Sequence, residues 1–145
     1  MKRLLKIKKV YFGLFLVFVS ALFAYRFYQA NSVYPVGDQT GFIVHAQQIN
    51  FNYLYFAIFR YMTWSSRLLI ESATMYFSLH ELIFIFSAFL ATLFLLICSR
   101  KLCPNFPLLP GVLLFLFFPR TLFVSAGAIP TYTNYIFPAS LLIFS

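Results

Sequence analysis

The residues that could do chemistry are few, and they are gathered. Residues 37–71 open with GDQTGFIVHAQQ and close with YMTWSSRLLIE; they hold the only Asp of the chain, the only Trp, one of two His, one of two Glu and two of six Arg. Asp38 lies in a polar stretch soon after an apolar run. A carboxylate held at a membrane surface suits the task of general base toward an incoming hydroxyl. It also suits a hard divalent cation, although a single carboxylate is a thin site for one. The plain alternative is a solvated turn or a helix cap. His45 follows at seven residues, a same-face spacing on a helix, and reads as structural.

A helix over residues 59–72 puts Arg60, Trp64, Arg67 and Glu71 on one face, because their spacings are 4, 3 and 4. Arg67 and Glu71 can then pair, with Arg60 over an aromatic. A guanidinium is a planar fork of donors suited to phosphate, and beside an apolar surface it suits a lipid-linked phosphate. The competing reading is that interfacial Arg and Trp anchor a helix at the headgroups. His80-Glu81 begins like a zinc-protease H-E-x-x-H, but Phe84 stands where the second His belongs. Cys98 and Cys103 flank Arg100 and Lys101 in neither a C-x-x-C nor a metal-ligand spacing, and read as free thiols at a cytoplasmic membrane edge.

The elements that must position these residues are greasy. Of 145 residues, 62% are hydrophobic, 22% aromatic and only 10% charged, with mean hydropathy +0.86. Soluble domains carry about 25% charged residues, so the composition belongs to the membrane class. The net charge of +8 does not point to nucleic acid, because five of the eleven cations stand in MKRLLKIKK directly before an apolar run. That placement matches a cytoplasmic N-terminus against anionic lipid. The run that follows is longer than a signal-peptide core and ends in Phe23, Ala24, Tyr25 and Arg26, a poor cleavage site; it reads as an uncleaved anchor.

The expected fold is all-α and polytopic: spans at about 10–28, 79–98 and 106–124, then a fourth at 136–145. Residues 29–78 form an external loop carrying an interfacial helix, and 126–135 a second external loop. Ten apolar residues cannot cross a core about 30 Å thick at about 1.5 Å per residue. The chain therefore reads as the N-terminal portion of a larger polytopic protein or the product of a broken reading frame. Its expected location is the bacterial plasma membrane, multi-pass, with lipid as surroundings and no nucleic acid as partner.

Three motifs recur in this layout: Asp38 early in the first external loop, Trp64-Ser65-x-Arg67, and AGAIPTYTNYIFP with Gly127, Ala128, Asn134, Tyr135 and Pro138. Together they resemble the N-terminal part of bacterial GT-C-type membrane glycosyltransferases, closest to glucosyltransferase-like (Gtr-type) families. Those families carry an acidic motif in the first external loop, a W-[ST]-G-R-like stretch and a later T-G-A-x-N-Y-x-W-P-like stretch. The resemblance implies transfer of a sugar from a polyprenyl-phosphate donor to a cell-envelope glycan on the outer face. It implies Asp38 as catalytic base or metal contact and Arg67 as a donor-phosphate contact. Arg60, Trp64, Glu71, Asn134 and Tyr135 complete the expected substrate-binding set. Two departures stand: Gly37-Asp38-Gln39 carries one carboxylate where a pair is usual, which weakens the case for a metal, and Ser66 replaces the Gly before Arg67. The alternative is a non-enzymatic small membrane protein, an assembly partner or a transporter subunit.

Overall fold

In the computed structural model, residues 2–33, 37–63, 67–102, 104–106, 109–110, 113 and 126–142 are described. Every element among them is helical: α1 (Lys2–Val33), α2 (Asp38–Gln48), α3 (Tyr53–Thr63), α4 (Leu68–Leu79) and α5 (Glu81–Leu102). A last run comprises α6 (Ala128–Thr131), a five-residue π-helix π1 (Tyr132–Ile136) and α7 (Phe137–Leu142).

Two stretches are long and apolar enough to cross a membrane, Lys9–Asn31 in α1 and Glu81–Ser99 in α5. They pack against each other as an antiparallel pair. Leu16 and Val19 meet Leu96 at one end, Phe27 meets Phe84 further along, and the Asn31 amide donates to Glu81 Oε1 at 2.9 Å at the other end. The seam is lined by small side chains: Ser20 and Ala24 of α1, Ala88, Ala91 and Thr92 of α5, all buried. Small residues let helix backbones approach closely, which matters where lipid removes the hydrophobic drive between helices. The Ser20 and Thr92 hydroxyls donate to carbonyls one turn back, Leu16 O at 2.8 Å and Ala88 O at 2.7 Å, so neither is buried unsatisfied. Ala88→Leu forces extra carbons into this seam and is expected to cost about 1–3 kcal/mol, read as a lower unfolding midpoint by circular dichroism in detergent. Val17→Leu, on the exposed face of α1, is the control expected to be silent.

The expected single interfacial helix is corrected to three short ones. α2 follows Gly37, whose φ of 69° and ψ of −136° suit only a residue without Cβ. Asn50 and Phe51 then take left-handed φ values of 49° and 58°, with Phe51 N–H donating to Ala46 O at 2.8 Å. Asn52 caps α3 by accepting from Tyr55 N–H at 3.0 Å. Phe56, Met75 and Ala46 form the small core that holds α2, α3 and α4 together.

Residues 126–135 also depart from expectation. In place of an external loop they begin a buried helical run. Gly127, at φ 97° and ψ 164°, caps α6, and Pro130 is tolerated because it lies in the first turn, where its missing N–H is not needed. Tyr132 sits at the centre of the main core, with its ring centroid 5.7 Å from Phe27, 5.9 Å from Phe77 and 5.4 Å from Phe84. Its hydroxyl shares a 2.6 Å hydrogen bond with Ser87. The expected third span at 106–124 and the end of the fourth lie largely outside the described residues; within them, residues 136–142 continue the run from α6 rather than starting a helix of their own.

Candidate functional site

Asp38, Arg60, Arg67, Glu71 and Asn134 line one cavity of about 310 Å³, between α2, α3, α4 and the α6–π1 run. Their separation along the chain is closed by three local devices. Gly37 turns the chain so that Asp38 begins α2 with its side chain exposed. α3 ends at Thr63 and α4 begins at Leu68 after the non-helical Arg67 (φ −90°, ψ 48°), so Arg60 and Glu71 face each other from neighbouring helices. The wide π turn gives three successive residues three different partners: Tyr132 bonds Ser87 of α5, Thr133 shares a 2.6 Å hydrogen bond with Thr74 of α4, and Asn134 Oδ1 accepts from Arg67 at 2.8 Å. Such π turns recur at functional sites because they re-aim side chains that an α turn would rotate away.

The expected one-face stripe is thus corrected, while its ionic partners are kept. Glu71 is the hub. Its Oε2 accepts from Arg60 Nε at 3.3 Å and Nη2 at 3.2 Å, and its Oε1 lies 3.9 Å from Arg67 Nη2. The Glu71 side chain is 7% exposed and that of Arg67 is 53% exposed, so one end of the chain of charges is buried and the other opens to the cavity. Arg60 also lies over the Phe42 ring, 5.7 Å from its centroid, close enough for a cation–π contact. Asn134 is itself held, its amide donating to Pro130 O at 2.8 Å.

The cavity holds two guanidinium and two carboxylate groups, unevenly paired. Both arginines contact Glu71, whereas the Asp38 carboxylate has no hydrogen bond or ion pair among the described residues. A carboxylate exposed in a polar recess can accept a proton from a hydroxyl brought beside it. Among the described residues no three His, Cys, Asp or Glu gather as a metal-ligand set. Hard cations take six or more oxygens, and this donor set fits one poorly.

Of the other expected site residues, Trp64 lies outside the described residues, and Tyr135 is 57% exposed and is not part of the cavity wall. Sequence reasoning missed other lining residues, Thr74, Phe56 and Pro130 among them, and set His45 aside although it lines the same cavity. The signal for His45 was its seven-residue spacing from Asp38. Glu81 is exposed and bonded to Asn31, which also accepts from Gln39, so that triad ties α1, α2 and α5 together. Cys98 is a free thiol on α5; Cys103 lies outside the described residues. No family model, curated protein or solved structure matches the chain.

Proposed function

We propose that this chain carries the polar end of an integral, multi-pass membrane glycosyltransferase of the GT-C type. It moves a sugar from a polyprenyl-phosphate donor to a hydroxyl of a cell-envelope glycan. The single observation that carries the reading is the cavity that unites Asp38, Arg67 and Asn134 from three distant parts of the chain. Further support comes from the basic residues at the start of α1 and the end of α5, at the opposite end of the hairpin from the Asn31–Glu81 bond. Cations favour the cytoplasmic side, and this supports a cavity that faces outward from a bacterial plasma membrane.

In this reading Asp38 takes the proton of the acceptor hydroxyl. The oxygen attacks the anomeric carbon, the bond from that carbon to the phosphate oxygen breaks, and polyprenyl phosphate leaves with the electron pair. Arg67 meets the charge that develops on the departing phosphate, and the Glu71 and Asn134 contacts hold its guanidinium in place. The test is transfer from radiolabelled polyprenyl-phosphate glucose by membranes containing the protein. A hydrogen bond to a charged group is worth about 1.5–3 kcal/mol, so Arg67→Ala is expected to lower kcat/KM for the donor by about 10-fold or more. Undiminished transfer in both Arg67→Ala and Asp38→Asn sinks the assignment.

A second reading, a non-enzymatic membrane protein, draws on the way Arg60, Glu71, Arg67 and Asn134 satisfy one another, as a purely structural clasp does. Cysteine accessibility at positions 38, 67 and 81 separates the two. Labelling from the outer aqueous phase fits the transferase, and protection of 67 and 81 at the midplane along a water path fits a transporter subunit.

A further inference from the structure

The cavity wall made by α2 carries a pattern that the donor chemistry leaves unused. Asp38, Gly41, Phe42 and His45 all line the cavity, at the i, i+3, i+4 and i+7 positions that share a helix face. His45 Nδ1 lies 3.1 Å from the Gly41 carbonyl oxygen. A carbonyl can only accept, so Nδ1 carries the proton and, in the neutral ring, Nε2 is an acceptor. Nε2 has no partner among the described residues, and the His45 side chain is exposed. The ring is steadied from behind by Phe56, centroid to centroid 6.4 Å. Between the two acceptors, a Cβ built on Gly41 meets nothing within 4 Å, so the wall is open where a side chain would otherwise project. Opposite stand Arg60 and Arg67 with Glu71, and neutral Asn134 and Pro130.

We infer that the Asp38–Gly41–His45 face of α2 is a subsite for a polyhydroxylated ring, the acceptor sugar. The Asp38 carboxylate accepts from one hydroxyl, His45 Nε2 from a second, and the Gly41 gap admits the ring between them. Two helical turns, about 10 Å along the axis, separate the two acceptors at their Cα atoms, a span their side chains can narrow onto one monosaccharide. The identity of this ring as acceptor rests on the transferase reading. His45 is here a specificity-determining group that touches substrate and moves no proton.

The probe is methyl glucoside, with cyclohexanol as a ring of like size and one hydroxyl. Binding to the full-length protein in phospholipid nanodiscs is read by saturation-transfer NMR without donor. Methyl glucoside is expected to bind saturably and cyclohexanol to give no signal. His45→Phe, which keeps a ring and removes the acceptor, is expected to weaken binding at least tenfold. At position 41 affinity is expected to fall in the order Gly, Ala, Leu. Alanine has the higher helix propensity, so a loss at Gly41→Ala cannot come from a weakened helix. Unchanged affinity in these variants, or equal signal from cyclohexanol, overturns the subsite. Binding as expected with no transfer from any polyprenyl-phosphate sugar overturns the transferase reading and leaves the subsite standing. Transfer with binding unmoved by the variants does the reverse.

Discussion

Asp38→Asn is expected to lower sugar transfer by about 10²–10⁴-fold, the usual contribution of a positioned general base, while the protein folds as before. The two halves of that result have separate causes. Asn keeps the size and shape of Asp and still accepts hydrogen bonds, but it takes up no proton near neutrality, so the acceptor oxygen attacks unaided. Stability hardly moves because the carboxylate is exposed and makes no ion pair among the described residues. What it loses is the favourable position of an anion in the first turn of α2, worth about 0.3–1 kcal/mol at an exposed site. The measurement is initial rate against acceptor concentration, beside thermal unfolding of the same preparation. A rate within threefold of the unaltered protein removes Asp38 from the chemistry. A rate loss with an equal loss of folded protein removes it as well.

The parts of the fold that depend on composition over a long window were legible. Two runs of about twenty apolar residues must be helices if they are to satisfy their own backbone in lipid, and α1 and α5 are the result. The local reading of residues 59–72 failed for a specific reason. The spacings of Arg60, Arg67 and Glu71 fit a helix face, yet the chain leaves helical geometry at Arg67, and the same residues meet because α3 folds back on α4. The pairing of Arg67 with Glu71 survives, since it falls within α4 and its cap. Arg60, expected over an aromatic, reaches both Phe42 and Glu71. Residues 126–135 read as a loop because Gly, Pro and Thr are turn formers. Burial decides otherwise there: Ile129, Tyr132 and Thr133 are at most 1% exposed, and a backbone hidden from water must form its own hydrogen bonds. The tautomer of His45 was out of reach, because it is set by a carbonyl whose position exists only once α2 has formed.

The largest loss of stability is expected from Glu71→Ala, and the size of the loss separates a clasp from a mere neighbour. Removing one partner of a buried ion pair typically costs about 3–5 kcal/mol, because the remaining charge is stranded. Here the removal takes a shared counter-ion from two guanidiniums, Arg60 at 3.2 Å and Arg67 at 3.9 Å. The Arg60 side chain is 23% exposed and that of Arg67 53%, so water recovers part of the loss and the expected value is about 3 kcal/mol. Glu71→Gln should cost less, since its amide oxygen still accepts from Arg60, but it supplies no charge. The decisive variant is the double one, Glu71→Met with Arg60→Met. If the cost is a stranded charge, the pair of changes is milder than Glu71→Ala alone, and the cycle shows strong coupling between the two positions. Unfolding followed by circular dichroism in detergent gives the four corners of that cycle. Simple additivity would mean that Arg60 and Glu71 do not act on each other, and that ring and core contacts such as Phe56–Met75 and Tyr53–Tyr76 hold α3 to α4. Glu71 also contacts Arg67 at 3.9 Å, so in the transferase reading Glu71→Gln should lower kcat/KM for the donor as well.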